Sequence, residues 1–175
     1  MKTKEIVFLG TLIALVTVST YIRIHIPIGT GGLIHIGTLT MFIISLRFGA
    51  KYGAISSGVG MALFDILSEW VSWAPGTLVV RLLAGYIIGK VALSPKGQGE
   101  DFKRNIVALI LGGLVIVIGY FIFEALVIGT GFGALASIPG NIAQILIGLF
   151  ALFILPSIPK LETLNESLKD SDLST

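Results

Sequence analysis

Six long apolar runs, with the cations gathered almost entirely in alternate gaps between them, leave this chain one solvent in which to fold, the lipid bilayer. The runs cover residues 6–22, 33–48, 53–67, 78–93, 106–128 and 138–158, set against the roughly 20 residues needed to cross about 30 Å of hydrocarbon. With the N-terminus cytoplasmic and sides alternating, the inner side holds Lys2, Lys4, Arg47, Lys51, Lys90, Lys96, Lys103, Arg104, Lys160 and Lys169, ten of the 12 Lys and Arg; only Arg23 and Arg81 are left over. The pattern predicts an all-α integral membrane protein, one domain over residues 1–175 with six transmembrane helices, both termini cytoplasmic and a polar tail at 160–175. A content of 54% hydrophobic and 13% charged residues supports the same class. The net charge of +2 is accounted for by basic loops facing anionic lipid, so no nucleic-acid partner is implied. With no cysteine, disulfides, thiolate metal sites and a cysteine nucleophile are excluded. The first run starts like a signal peptide but lacks a small-residue cleavage site near Ser19 or Thr20, and it reads as a retained helix.

Residues 33–68 as one helix would be about 54 Å long, nearly twice the hydrocarbon slab, so the chain must turn back at 47–51, where Gly49 and its flanking cations suit a tight cytoplasmic hairpin. Residues 94–104, with Pro95, Gly97 and Gly99, read as a second solvated loop. Between Ile22 and Gly37, apolar and polar residues alternate and then break into Gly29, Gly31 and Gly32, which with Pro27 argues for extended, irregular backbone. This stretch, including His25, is either a plain connector or a hinged lid over an outward pocket. Trp70 and Trp73, in the next outer loop, serve either as interfacial anchors or as stacking surfaces. The last outer loop, 129–141, is rich in glycine and reads as mobile or closely packed.

Ionisable groups within or beside apolar spans are costly and face a partner, a cavity or a pathway. Here they are Arg23, Asp65, Glu69, Arg81 and Glu124, and Asn141 and Gln144 open the sixth run. All lie in the outer third, and their spacing (Asp65 with Glu69, Tyr120 with Glu124, Asn141 with Gln144) puts each pair on one helix face. Two readings follow: buried ion pairs such as Arg81 with Glu124 or Asp65, or a pocket of convergent polar groups walled by aromatics, suited to a small water-soluble solute. The cytoplasmic halves read as free of buried charge, which disfavours an ion or proton path. No Walker pattern is present, since GYIIGK at 85–90 has the wrong glycine spacing and no following Ser or Thr. His25 and His35 have no third ligand at a metal spacing, and no catalytic set of side chains stands out. Small residues at helical spacing, among them Gly10 with Ala14 on the first run, allow close helix contact within the chain or with another protein.

Taken together, the six runs, the Gly10 and Ala14 pair, the stretch LRFGAKYGAISSGVGMALFDIL at 46–67, the tryptophan loop and GTLVVRLLAGYIIGK at 76–90 resemble the substrate-binding S components of energy-coupling factor (ECF) vitamin transporters, over nearly the whole chain. The resemblance is nearest the pyridoxine or hydroxymethylpyrimidine branch, with pantothenate next. It implies a multi-pass protein of the bacterial cytoplasmic membrane that captures a vitamin from outside under its first loop. Such a protein docks through Gly10 and Ala14 on a membrane scaffold subunit bearing two ATPases, and topples in the bilayer to deliver its cargo. It also implies no enzyme activity and no cofactor on this chain, ATP being used by the partner subunits. The residues expected to meet the solute are His35, Asp65, Trp70, Trp73, Arg81, Tyr120, Glu124, Asn141 and Gln144, with His25, Pro27, Gly29, Gly31 and Gly32 in the lid. Competing readings are a self-sufficient secondary transporter or channel, and a membrane enzyme dependent on Asp65 or Glu69.

Overall fold

A computed structural model describes residues 3–25 and 33–160, with backbone alone for Ile24, His25 and Leu33. Helix α1 (Thr3–Tyr21) leads into two short strands, β1 (Arg23–His25) and β2 (Leu33–His35), which pair antiparallel with Arg23 opposite His35. The helix expected from residue 33 therefore starts later, at Gly37, because the backbone groups of 33–35 are taken up by the ladder that their alternation favours.

Helix α2 (Gly37–Ile66) is broken at Gly49, whose φ of +86° and ψ of −176° suit glycine and strain any residue with a Cβ. A Cβ placed on Gly53 would lie 2.7 Å from Ser45 Cα, whereas residues eight apart on a straight helix stand about 12 Å apart. The chain thus folds back at Gly49, and residues 37–48 and 50–66 run against each other as two arms. The bend is pinned from outside. Strands β3 (Leu93–Ser94) and β4 (Gly97–Gln98) carry Gln98, whose Nε2 donates to Gly89 O (3.0 Å) and to Ser45 O (3.4 Å), one turn before the break.

A short turn at Val71–Trp73 precedes α3 (Ala74–Ala92), where Pro75 occupies the first turn, a position that needs no backbone donor. Asp101 caps α4 (Phe102–Phe123) by accepting from the Arg104 N–H at 3.2 Å. At its far end α4 widens into a π-turn, Glu124–Ile128, closed by Gly129 in the left-handed region. The glycine-rich loop that follows is a 3-10 segment, Gly131–Ser137, and α5 (Ile138–Gly148), α6 (Ala151–Ile154) and a last turn at Leu155–Ser157 complete the described chain.

The second arm of α2 lies between α1 and α3, with Gly60 against Val16 and Gly58 against Leu82, while Phe42 of the first arm meets Gly148 of α5. Small residues at these crossings let backbones approach, which matters in lipid, where apolar area alone gives no drive to associate. Met41, Phe42, Ile44, Met61, Val80, Ala84, Ile88 and Ile116 form the core, and Ile6, Val7, Val18, Leu83, Ile110, Leu114 and Ile118 point outward. Thr3–Tyr21, Val71–Ala92, Phe102–Ile128 and Gly131–Ser157 are long and apolar enough to cross a membrane. The molecule is mostly helical; the two strand pairs are its departure from the all-α expectation.

Candidate solute-binding site

Arg81, two turns into α3, is 1% exposed and is held by neutral groups from three other segments. Its Nε donates to Tyr120 Oη at 3.1 Å, one terminal nitrogen to Thr38 Oγ1 at 3.1 Å and the other to Gln144 Oε1 at 3.0 Å. The same Gln144 oxygen accepts from Thr38 at 2.9 Å, and the Tyr120 hydroxyl donates to Thr77 Oγ1 at 3.1 Å. Behind it, Ser57 donates to the Arg81 carbonyl at 2.8 Å and fixes the backbone from the second arm of α2. Among the described residues no carboxylate reaches Arg81 within ion-pair distance, so the anticipated pairing with Glu124 or Asp65 is not made.

One buried carboxylate lies in the field of this cation and a second is buried one turn beyond Tyr120. Asp65 is 7% exposed, within reach of Thr77 and in the field of Arg81, and its Oδ2 has no hydrogen-bond partner among the described residues. Glu124, one turn beyond Tyr120 at the start of the π-turn, is 1% exposed, and neither carboxylate oxygen has a partner among the described residues. Buried carboxylate oxygens without donors are costly, and a π-turn is a frequent mark of a functional position. His35 Nδ1 is likewise buried without a partner among the described residues. Trp73 packs on the Tyr120 ring at 6.2 Å and on Phe123 at 6.1 Å, with Trp70 edge-on at 6.3 Å, so the indoles wall the polar cluster.

Of the residues anticipated from sequence, Arg81, Tyr120 and Gln144 are joined directly, with Trp73 packed on Tyr120. Asp65 lies in the field of Arg81, and Glu124 is buried one turn beyond Tyr120. Asn141 is buried on α5 one turn from Gln144. Glu69 does not join: α2 ends at Ile66, the assumed i,i+4 face with Asp65 ends with it, and Glu69 turns to Arg23 at 3.0 Å. Pro27, Gly29, Gly31 and Gly32 lie outside the described residues, as does the side chain of His25. Gly10 and Ala14 sit on the exposed side of α1, with nothing within 4 Å of the position a Gly10 Cβ would take. Thr38, Thr77 and Met41, whose sulfur lies 3.6 Å from Arg81, escaped the sequence reading, since lone hydroxyls and a methionine in apolar runs carry no distinguishing spacing.

The opposite end of the molecule holds a second buried cation, and it overturns the expectation that this end carries none. Arg47, beside the Gly49 bend and 5% exposed, pairs with Glu100 at 2.6 Å and donates to the Leu155 carbonyl at 2.6 Å. Lys160 adds a second cation to Glu100 at 3.4 Å. The hydrogen bond from Arg47, reinforced by Lys160, holds the Glu100 carboxyl below its ordinary value.

Spanning helices that close around one buried, neutrally solvated guanidinium define a multi-pass membrane protein with a polar interior site. The family model of the ECF-type riboflavin transporter, S component, matches residues 1–158, and the chain belongs to that family. It is thus a membrane transport subunit of vitamin uptake that binds substrate and is not an enzyme. It is also 34% identical over 135 residues to a Pyrococcus woesei protein described as "uncharacterized protein in gap 3'region", an alignment covering 77% of this chain and 86% of that one.

Proposed function

We propose that this chain is the solute-capture subunit of an ATP-driven importer and that the Arg81 cluster is its cradle for a vitamin of the flavin type. The observation that carries the reading is the surplus of buried acceptors beside the cation: three carboxylate oxygens, on Asp65 and Glu124, have no donor among the described residues. A solute rich in hydroxyl and N–H groups supplies those donors, while ring carbonyls take the guanidinium and amide donors. The hydroxylated chain and heteroaromatic ring of riboflavin, the vitamin in the family's description, answer both needs, with Trp73 for the ring to stack on. A pantothenate carboxylate would face Asp65 and Glu124 and be repelled. Pyridoxine or hydroxymethylpyrimidine offers fewer donors to the same groups and stands as the second candidate.

In this reading the chain crosses the membrane six times, each arm of α2 counting once, with the Gly49 bend and both termini cytoplasmic and the Arg81 cluster open to the outside under the first loop. Delivery requires a scaffold subunit and two ATPases, met through the exposed Gly10 and Ala14 face of α1, followed by toppling in the bilayer. Mass spectrometry of small molecules released from the purified protein is expected to find a flavin; finding pyridoxine or a pyrimidine instead would reassign the solute. Reconstituted alone in liposomes, the chain should bind without transport, and uptake should require scaffold and ATP. Uptake by the chain alone would establish a self-sufficient transporter. Gly10→Leu or Ala14→Leu should leave solute affinity unchanged and abolish uptake by the assembled transporter, and full uptake would remove the docking role.

A further inference from the structure

Behind the Arg47–Glu100 pair lies a cavity of ≈ 170 Å³, well above the roughly 10–15 Å³ that accommodates a single water. Its lining combines polar Arg47, Glu100 and Asn105 with apolar Phe102, Leu152 and Pro156. Two polar atoms of this lining are buried without a partner among the described residues: Arg47 Nε, a donor, and Asn105 Oδ1, an acceptor. Asn105 is held in place, since its Nδ2 donates to Gly99 O at 2.9 Å. The local charge is also unbalanced, because Arg47 and Lys160 face one carboxylate, Glu100, leaving one positive charge. An occupant should therefore carry one negative charge, an acceptor for Arg47 and a donor for Asn105.

The position says where such a group comes from. The cavity sits where α4 begins, α6 ends and α2 reverses, among helix ends rather than at mid-span, and the exposed Phe102 in its lining offers apolar surface. We propose that this cavity binds the headgroup of an anionic phospholipid whose phosphodiester bears free hydroxyls, as in phosphatidylglycerol. The phosphate lies toward Arg47 and Lys160, a headgroup hydroxyl donates to Asn105, and the acyl chains leave along Phe102 and Leu152. The site is separate from the Arg81 cluster and does not depend on which vitamin that cluster takes.

Native mass spectrometry of the full chain, released from membranes containing phosphatidylglycerol, phosphatidylethanolamine and phosphatidylcholine in equal amounts, tests this directly. One retained phosphatidylglycerol per chain is expected. Leu152→Trp, which fills the cavity from an apolar lining residue, should remove the preference. Glu100→Gln adds one net positive charge and should raise the ratio of phosphatidylglycerol to phosphatidylethanolamine retained about fivefold. Equal retention of the three lipids by the native chain, or retention unchanged in Leu152→Trp or lowered in Glu100→Gln, would overturn the proposal. Displacement of the lipid by millimolar glycerol phosphate would assign the cavity to a soluble phosphodiester or phosphate and overturn the lipid source.

Discussion

Arg81 and Arg47 are both buried guanidinium groups, 1% and 5% exposed, yet they are satisfied in opposite ways. Arg47 has a carboxylate at 2.6 Å, a backbone carbonyl at the same distance and a second cation behind the carboxylate, an arrangement that ties the α2 bend to the loop before α4 and to the end of α6. Arg81 has hydroxyl and amide oxygens and the Met41 sulfur, all neutral, while the buried carboxylates of Asp65 and Glu124 keep oxygens without partners among the described residues. The contrast separates two uses of a buried charge. A cation whose terminal nitrogens are taken by a carboxylate and a carbonyl of its own chain ties segments together, even where its Nε is left for a lipid, whereas a cation held by neutral groups near unmet acceptors is prepared for a solute.

Breaking the matched site should give the largest change in stability. Arg47→Ala is expected to cost about 2–4 kcal/mol through lost packing and lost hydrogen bonds, read as a lower thermal midpoint in detergent, with solute affinity unchanged. The unmatched site should respond with the reverse sign. Glu124→Gln removes an unpaired buried charge, so the solute-free protein should melt higher by an amount on the order of 1–3 kcal/mol, while solute affinity falls about tenfold. A destabilised Glu124→Gln would mean that the carboxylate is structural and that the contrast fails. The smallest effect concerns pH. The Glu100 carboxyl sits below its ordinary value of 4.5, so its pairing stabilises the fold at and above that value and the contribution is lost as the pH falls through the lowered one. Melting curves from pH 7 to pH 3 should therefore show a steeper acid loss for the native chain than for Glu100→Gln.

Some of this was legible in the residue order and some was not, for identifiable reasons. The reversal at Gly49 followed from length and charge, because no single helix of that span fits a bilayer. Arg81, Tyr120 and Gln144 stood out because polar groups are rare in apolar runs, and rarity locates them without a fold. Arg47 was placed at a tight hairpin, where no buried charge was expected. Its partners Glu100 and Leu155 lie 53 and 108 positions away, and nothing local announces them. Glu69 was misplaced because the helix-face argument assumed a helix that stops at Ile66. Thr38 and Thr77 were invisible for a different reason: a hydroxyl in a helix ordinarily bonds its own backbone, and only the meeting of four segments turns these two toward Arg81 and Tyr120.

Titration of riboflavin against Arg81→Ala and Arg47→Ala, side by side with the native chain, tests the central claim most directly. Loss of at least about a hundredfold in affinity for Arg81→Ala, from two or more charge-assisted hydrogen bonds, with native affinity kept by Arg47→Ala, is the predicted result. Native affinity in a folded Arg81→Ala protein would contradict it, and the cluster around Arg81 would then be scaffolding.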